Sequence, residues 1–592
     1  MTTHVTRGRR RLLTGTATGA LVLGALVATP APATATQGGG DRAEKAPVGK
    51  LMTVRNERQL RRAVLKANHR DGIDRIRLAA DITFDPSRPT GGGALKGDLD
   101  VTDDLRVFGR HQIDANGVDR VFDVRPETSL RLTGLWLVDG APAEGESGGA
   151  VRSQGTVRFK GGAVVGGSAT GTGASGGAFM NDGGVLRVIG ARLLRNDAVR
   201  AGGAIEAFAG RTVVRGTLMK QNTAGAEPGN GGALHLTDAG TVTVTGSKVV
   251  RNTASAEGGG LWNSAVGTFR VRDTLLHHNR AAGAAADNGG GALFNDGGTM
   301  TVSDSTIRRN RATGEAGSGG GILNNLGTLE VTGSTLEAND ASRAGGGIEA
   351  NVGTTTVTGS VLSGNSTGAA PGNGGGLHLT GAGTVAVEGS QVLDNTAAAE
   401  GGGLWNSATG EMDVSDSVLR RNVAAGAAAD QGGGGLFNDG GALTVADSTV
   451  ADNDATGAAG SGGGILNNLG TLTVTGSTLS GNTAVRAGGG LEANVGTTTL
   501  LDVVMTGNDT GSNPGNGGAL HLTGAGTVSW TDGEATGNTA TNEGGGLWNS
   551  ATGTMTVAGV TIEGNSAPEG PDVYNDGGTF TVDGTPVPPP GG

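Results

Sequence analysis

Residue types that can bind a ligand or catalyse a reaction recur in a fixed order along this chain. Each follows a short motif of glycines and one aliphatic residue, and asparagine often comes next. The order is Glu, His, Trp, Phe, Leu, and the strictest copy of the motif, GGGLWNS, begins at Gly258, Gly401 and Gly544, with equal steps between the copies. The candidate binding residues are Glu206, His235, Trp262, Phe294, Glu349, His378, Trp405, Phe437, Glu492, His521 and Trp548, with Leu323 and Leu466 closing the first two series.

These variable residues are predicted to form an exposed column. Neighbours on a strand alternate between its two faces, so an inward aliphatic residue places the variable residue outward. The reverse arrangement would bury Glu206, Glu349 and Glu492, at a cost of several kcal/mol each unless they are fully paired. Equivalent residues in successive rungs of a parallel sheet lie ~4.8 Å apart, so glutamate would contact histidine and histidine would contact tryptophan.

Three interpretations of this column stay open. Outward tryptophans could contact the C–H faces of sugars while Glu and His bind hydroxyls, or the same surface could bind a partner protein. Alternatively, the Glu–His pair is an ordinary contact between rungs and the aromatic residues lie beneath long loops. The third interpretation is acid–base catalysis by Glu and His, although three near-equal copies favour multivalent binding over one tuned active site.

The elements that must position the column are short strands. The glycine motif restarts from Gly148 onward at nearly regular intervals, and segments such as 470–482, GTLTVTGSTLSGN, alternate apolar and polar residues. This period of two predicts half-buried strands, and a repeat unit of roughly 30 residues cannot bury its apolar face alone. We therefore predict an all-β fold, a single-stranded right-handed parallel β-helix of about 16 regular rungs with an N-terminal cap.

A second fixed point is an asparagine that follows the first glycine of each unit at a nearly constant distance. Identical turns stacked one per rung bring these amides into line, where they can hydrogen-bond to the backbone and to each other. The predicted structural ladder comprises Asn196, Asn222, Asn252, Asn279, Asn310, Asn339, Asn365, Asn395, Asn422, Asn453, Asn482, Asn508, Asn538 and Asn565.

Composition divides the chain into five segments. Residues 1–35 are predicted to be a signal peptide, because arginines precede an apolar stretch and a small-residue cleavage site, and either the Sec or the twin-arginine route fits. Residues 36–50 are predicted to be a flexible leader and 51–147 the cap, with a short helix and the first irregular rungs. The repeats occupy 148–584, and 585–592 is a Pro/Gly tail. We expect a secreted or cell-surface protein with no transmembrane segment, since no other apolar run reaches the ~20 residues that cross a bilayer.

Charge and composition exclude some classes of binding partner and some kinds of catalysis. The chain contains no cysteine, so disulfides and thiolate catalysis are excluded. From Ala344 to the end, 23 acidic and three basic residues give a net charge of −20, which should repel nucleic acid and anionic polymers. No motif predicts a metal site or a cofactor, and calcium stays open without a motif to support it.

The repeats resemble those of a known group of bacterial proteins. The frame GGAI at 202–205 with Asn222, which returns as GGAL at 231–234 with Asn252, is similar to the repeats of chlamydial polymorphic membrane proteins and related secreted β-helix proteins. The segment at 59–68 resembles the one that follows the CSLREA motif in secreted β-helix proteins. The resemblance covers residues 51–584 and implies a β-helix and adhesion. We do not expect the family's C-terminal anchor, because the chain ends in TPVPPPGG.

The leading prediction is an exported, non-enzymatic and adhesin-like β-helix rod that binds glycans or cell-surface proteins through the column. The alternative is a polysaccharide-degrading lyase or hydrolase, because parallel β-helices include such enzymes, although the signatures NTD, GHG and RIK do not occur. A passive structural surface protein is the second alternative. Nucleic acid is not an expected partner, and the oligomeric state stays open.

Overall fold

The computed structural model describes residues 48–87, 96–369 and 371–591. Within these residues the chain winds into a right-handed parallel β-helix of about 17 turns, with one α-helix near its start. The predicted fold class is therefore confirmed. The predicted signal peptide and residues 36–47 of the predicted leader lie outside the described residues.

One turn consists of four short strands that belong to three sheets. In the turn that contains the first GGGLWNS motif, Leu261–Asn263 lies in what we call the first sheet. Thr268–Arg272 and Leu275–His277 lie in the second sheet, and Arg280–Ala281 lies in the third sheet. The next turn repeats all four strands in parallel register, so each residue lies beside its equivalent one rung on.

Alternation along each strand builds one continuous core. In this turn Leu261, Phe269, Val271 and Leu276 are buried, whereas Arg270, between two of them, is exposed. Burial of such apolar side chains contributes ~25 cal/mol per Å². Because each turn contacts only its neighbours, every turn adds a similar increment to the core.

The paired glycines of the motif allow the third sheet to pass close to the first. Gly258 has φ +60, a left-handed conformation that a side chain disfavours. A Cβ on Gly259 would lie 2.4 Å from the carbonyl carbon of Arg280 in the third sheet and 2.3 Å from the carbonyl oxygen of Gly291 in the next turn. Both contacts are shorter than van der Waals distance, so only glycine fits between these backbones.

The regularly spaced asparagines form one buried ladder from Asn196 to Asn565. The backbone N–H and the Nδ2 of Asn365 both donate to Oδ1 of Asn395 at 2.9 Å. Asn395 in turn donates through Nδ2 to the Leu362 carbonyl and to Oδ1 of Asn422, both at 2.9 Å. Each amide thus uses its donor and acceptor groups inside the protein, as a buried polar group requires.

Two further polar ladders, which were not predicted from the sequence, run beside the first. The asparagine that follows the variable residue forms one of them, for example Asn263 to Asn295 at 2.7 Å and Asn295 to Asn324 at 2.8 Å. The other joins backbone N–H groups to the hydroxyls of the next turn, for example Ser305 to Ser334 at 3.1 Å. The sequence does contain a signal for the first of these two ladders, because an asparagine recurs directly after the variable residue.

The cap and the repeats share the same sheets. The elements before the first regular unit are Val48–Val54, the helix Glu57–Ala67, Ile73–Leu78, Ile82–Thr83, Leu99–Val101, Leu105–Phe108, Gln112–Asp114, Phe122–Val124, Ser129–Thr133 and Trp136–Val138. The strand at 122–124 pairs with the strand at 99–101 on one side and with Val151–Ser153 on the other. No break in the sheets therefore marks the predicted boundary at 147, and the first strand begins inside the predicted leader, 36–50.

The helix closes the first edge of the β-helix. Asn56 caps its N-terminus by accepting a hydrogen bond from the Gln59 N–H at 3.0 Å. Leu60 and Val64, one turn apart on the same face of the helix, are buried in the core. A covered edge cannot pair with another chain, which is the role expected of a cap.

The last turns have longer strands. In three of them the two pieces of the second sheet merge into ten-residue strands, Thr497–Thr506, Thr527–Thr536 and Thr554–Glu563. The chain continues as Val573–Asn575 and Thr579–Val582, and Thr585–Pro586, within the predicted tail, pairs antiparallel with the latter. In the described part of the chain no helix has the length and apolar character needed to span a membrane.

Candidate functional site

The variable residues stack in register on the first sheet, but they are not exposed. Leu261 packs in the main core, while Trp262 packs with Phe294 and Leu323 in a separate apolar cluster, so the side chains do leave the main core as alternation requires. Trp262 is nevertheless only 8% exposed. The predicted exposed column is wrong, because these residues are all buried: Glu206, His235, Trp262, Phe294, Glu349, His378, Trp405, Phe437, Glu492, His521 and Trp548.

The connection before each glycine motif covers the column. Glu257, in that connection, accepts a hydrogen bond from Nε1 of Trp262 at 3.0 Å, and Asn230 and Asn288 donate to the same carboxylate at 3.1 and 2.7 Å. One face of the indole stacks on His235, with ring centroids 4.2 Å apart. Its other face stacks on the phenyl ring of the next turn, at 6.1 Å. With both faces covered, the tryptophan cannot stack on a sugar ring.

The buried glutamates are tolerated because each is paired. The carboxylate of Glu349 is 1% exposed, and its Oε2 lies 3.0 Å from Nδ1 of His378. Thr380 donates to Oε1 at 2.7 Å, and Nη1 of Arg343 lies 3.5 Å from the same oxygen. A buried carboxylate with these partners avoids most of the cost of an isolated charge.

The same four-residue arrangement occurs in each copy. In the first copy it consists of Glu206, His235, Thr237 and Arg200, and in the third of Glu492, His521, Thr523 and Arg486. The glutamates and histidines were predicted from the sequence, whereas the arginine and the threonine were not. The signal for them was the recurrence of RAGG and HLT in step with the column.

Electrostatics keeps Glu349 and Glu492 ionised. Burial would raise the pKa of the Glu349 carboxyl, but the neighbouring His378 and Arg343 outweigh burial, and the pKa is lowered. The pKa of Glu492 is lowered in the same way by His521 and Arg486, against the effect of burial. An ionised carboxylate cannot donate a proton at neutral pH, so neither residue is suited to act as a general acid.

A surface cleft of about 380 Å³ opens over the second copy of the column. Its lining residues are Arg343, Pro371, Asn373, His378, Thr380, Gly381, Trp405, Ser407, Ala408, Thr409 and Asp439. The buried His378 and Trp405 present only edges to this cleft, and polar and apolar groups contribute about equally to its wall. Asp439 lies in the wall, and burial raises its pKa.

The lining of this cleft is retained in the other copies of the repeat. The first copy carries Arg200, Pro228, Asn230, His235, Thr237, Asp238, Trp262, Ser264, Ala265, Val266 and Asp296, with changes only at Asp238 and Val266. The third copy carries Arg486, Pro514, Asn516, His521, Thr523, Gly524, Trp548, Ser550, Ala551, Thr552 and, by register, Asp576. The three copies therefore offer nearly the same set of side chains.

The outward face of the second sheet is not retained in this way. Arg270 in the first copy corresponds to Asp413 in the second and to Thr556 in the third, at the same step that separates the glycine motifs. These positions change charge from copy to copy, whereas among the cleft residues only one position does, Asp238 in place of Gly381 and Gly524. Selection on the cleft explains this contrast better than recent duplication of the whole repeat.

The cleft contains hydrogen-bonding groups but no activated nucleophile among its described contacts. Ser407 donates its hydroxyl to the Gly381 carbonyl at 2.6 Å rather than to a histidine. Nδ1 of His378 is engaged by Glu349. An activated serine needs a base within hydrogen-bond reach, so the described contacts support binding rather than acyl transfer.

An acidic cluster at the start of the column is the one group of described residues whose carboxylates could share a metal ion. Asp98, Asp100 and Asp123 each offer an oxygen within 4.8 Å of the others. Arg125 contacts Asp100 at 2.6 Å, and Arg120 lies 3.5 Å from Asp98. Burial and the neighbouring carboxylates raise the pKa of Asp98 to about 7. Because two arginines already neutralise part of the charge, the cluster does not by itself indicate a metal.

Fold and site together define a right-handed parallel β-helix repeat protein. A family model described as the right handed beta helix region matches residues 293–471, which include the whole lining of the cleft over His378. No curated protein matches the chain.

Proposed function

We propose that the protein is a non-enzymatic, adhesin-like β-helix that binds glycans or partner proteins at three equivalent clefts. The clefts lie over His235, His378 and His521. The observation that carries this proposal is the retention of the cleft lining in all three copies, while the outward face of the second sheet changes. Three equal sites favour multivalent attachment, because linked weak contacts add through effective concentration.

The chemistry of the cleft favours a ligand rich in hydroxyl or amide groups. Arg343 and Asp439 supply charged hydrogen-bonding groups, and Thr380 and Thr409 supply hydroxyls around a floor formed by the edges of aromatic rings. Binding sites for small ligands combine a few directional polar groups with apolar surface in this way. A glycan or an extended peptide meets this description.

Sequence features that predict export agree with this proposal. The N-terminal segment predicts a signal peptide, and the repeats resemble those of chlamydial polymorphic membrane proteins, a resemblance that implies adhesion. We therefore infer a secreted or cell-surface location.

A blocking variant tests the clefts without disturbing the column. Ala265, Ala408 and Ala551 are exposed at the rim of the three clefts, so Ala265→Trp, Ala408→Trp and Ala551→Trp together should fill them and leave the buried residues in place. The control carries Ala442→Trp and Ala558→Trp, on exposed positions of the second sheet. Replacing the buried tryptophans would instead create cavities and report on stability.

The experiment is a glycan array followed by retention on an envelope or polysaccharide fraction. We expect the wild type and the control to bind and the blocked protein to lose binding. Equal retention of all three proteins would contradict the proposal. New reducing ends or unsaturated products after incubation with a polysaccharide panel would establish the alternative, a polysaccharide-degrading enzyme.

A further inference from the structure

Five arginines form a straight row on the second sheet, in turns that come before the first copy of the cleft residues. Arg75, Arg106, Arg131, Arg158 and Arg187 pair directly in register, one per rung. Each lies between two inward residues of its strand, so its side chain points outward. With ~4.8 Å between rungs, the row is about 19 Å long and runs along the stacking direction.

The row has no counter-charge within the described residues. No acidic side chain in that part of the chain forms an ion pair with any of the five arginines. Elsewhere arginines do find partners, as Arg125 does with Asp100 at 2.6 Å. Like charges opposite one another on neighbouring strands are unfavourable. An uncompensated row is therefore a cost to the fold that a bound anion would remove.

Two surface depressions flank the row. One, of about 420 Å³, is lined by four of the five arginines together with Phe108 and Lys160. The other, of about 570 Å³, adds Arg55, Arg77 and Arg110 and shares Phe108 with the first. Both depressions are basic, so the positive surface extends beyond the row.

Apolar ring surface lies in the wall of both depressions and, at a further position, on the same sheet. Trp136, on the strand Trp136–Val138 of the same sheet, is 43% exposed, one of the more exposed large apolar side chains in the described residues. Phe108 is partly exposed in the wall of both depressions. An exposed aromatic ring beside charged groups marks an interaction surface more often than an isolated exposed residue does.

We propose that this arginine face binds a linear anionic polysaccharide that carries carboxylate or sulfate groups. The guanidinium group forms paired hydrogen bonds with planar or tetrahedral oxyanions, so successive arginines can hold successive charged sugars. The exposed rings offer contact to the C–H faces of the same chain. This site lies on a different sheet from the clefts, so the proposal does not rest on the proposed function.

Duplex nucleic acid fits the face less well. Phosphates follow one another every ~3.4 Å along each DNA strand, which does not match the rung spacing, and the row is only one residue wide. The acidic distal half of the chain, with its net charge of −20 from Ala344 onward, repels any long polyanion, so binding at the arginine face is expected only for the stretch of ligand that lies on the basic turns.

Two charge-matched variants of the full chain test the proposal. The first carries Arg106→Gln, Arg131→Gln and Arg158→Gln, in the row. The second carries Arg280→Gln, Arg309→Gln and Arg311→Gln, which removes the same charge from another basic patch. All six positions are exposed or partly exposed, so both variants should stay folded, and their melting curves verify this.

Binding is measured with oligogalacturonate, dextran sulfate, neutral dextran and a DNA oligonucleotide at physiological salt. We expect the wild type to bind at least one anionic polysaccharide and not neutral dextran, and the row variant to bind about 10- to 100-fold more weakly. The second variant should stay within about 3-fold of the wild type, as expected of a general field effect. Equal losses in the two variants, no binding to either anionic polysaccharide, or tighter binding of DNA would each overturn the proposal.

Discussion

Glu257 is a partly buried carboxylate that accepts hydrogen bonds from Trp262, Asn230 and Asn288. Burial outweighs these donors and raises the pKa of the carboxyl from 4.5 to about 7. The folded chain then holds this proton more tightly than the unfolded chain does. The stability from protonated Glu257 is therefore complete below pH ~4.5 and is lost as the pH rises through ~7.

We predict that Glu257→Gln raises stability at pH 8 by about 2 kcal/mol and leaves it nearly unchanged at pH 4.5, because it removes a buried charge that exists only at the higher pH. Thermal unfolding at the two pH values measures the difference. Glu411→Gln, at an exposed position, is the control and should have no such effect. A similar gain at both pH values would contradict a titrating Glu257.

A second prediction at the scale of single residues concerns how much the asparagine ladder stabilises the fold. The side chain of Asn395 takes part in four hydrogen bonds, to Asn365, Leu362 and Asn422. Asn395→Ala leaves these buried groups unpaired and should lower the free energy of unfolding by about 3 kcal/mol. Gln391→Ala, which removes an exposed amide from the same turn, should change it by less than about 0.5 kcal/mol. Equal effects in denaturant titrations would show that the ladder does not stabilise the fold.

At the scale of the element, the β-helix needs glycine for two different reasons, at the turn that brings the third sheet beside the first and at the bend between the two strands of the second sheet. A Cβ on Gly402 would lie 2.4 Å from the Gly434 carbonyl oxygen and 2.5 Å from the carbonyl carbon of Val423. Gly389, in the preceding turn, has φ +55 but open space around it. The first glycine is needed for close approach and the second only for its backbone conformation.

We predict that Gly402→Ala costs more than Gly389→Ala. Gly389→Ala should lower the free energy of unfolding by about 1 kcal/mol, which is the strain of an alanine in the left-handed conformation. Gly402→Ala must also push two backbones apart, so it should lower the free energy of unfolding by at least about 3 kcal/mol. Unfolding in denaturant compares the two variants directly, and equal costs would show that the glycine pair is not limited by contact between sheets.

Regularity decided which elements could be predicted from sequence. The strands, the helix at 57–67 and the ladder positions repeat or alternate, and these periods follow directly from strand and helix geometry. The covering of the column depends on connections of variable length, such as 280–289, which have no period from which their path could be predicted. The direction of Trp262 away from the core was therefore predictable, whereas its burial beneath Glu257 was not.

The burial of the glutamates could not be predicted because their partners are distant in sequence order or lie in connections. The cost of burying Glu349 is high only for an isolated charge. Its partners Arg343 and Thr380 come from a neighbouring connection and from the next turn, so only the three-dimensional stacking reveals them. The row of arginines from Arg75 to Arg187 was not predicted for a related reason, because the register of the irregular turns was not known.

At the scale of the whole molecule, the β-helix separates two kinds of surface. The arginine face occupies turns near the start of the described chain, and the residue types that line the cleft over His378 recur every five turns from Arg200 onward. Acidic residues dominate the second half of the chain. A stiff stack of turns keeps such sites at fixed separations, since each turn packs on the next through continuous sheets.

Fixed separation leads to a prediction about the number of clefts. Five rungs of ~4.8 Å place neighbouring clefts about 24 Å apart. For a soluble ligand with one binding determinant, Ala408→Trp alone should remove one third of the sites and leave the Kd of the others unchanged, because the sites are separate. On a surface that displays many copies of the ligand, the same single block should weaken retention by about 10-fold or more, because each lost contact also removes its effective concentration.

Titration calorimetry gives the number of sites for the soluble ligand, and retention on a ligand-coated surface gives the multivalent effect. Ala442→Trp, on the outward face of the second sheet, is the control and should change neither quantity. If the single block at Ala408 abolishes binding of the soluble ligand, the three clefts are not equivalent, and the central one would then be the only functional site. If it changes neither quantity, the central cleft does not bind the ligand, and the retained lining must be explained by the packing of the column beneath it.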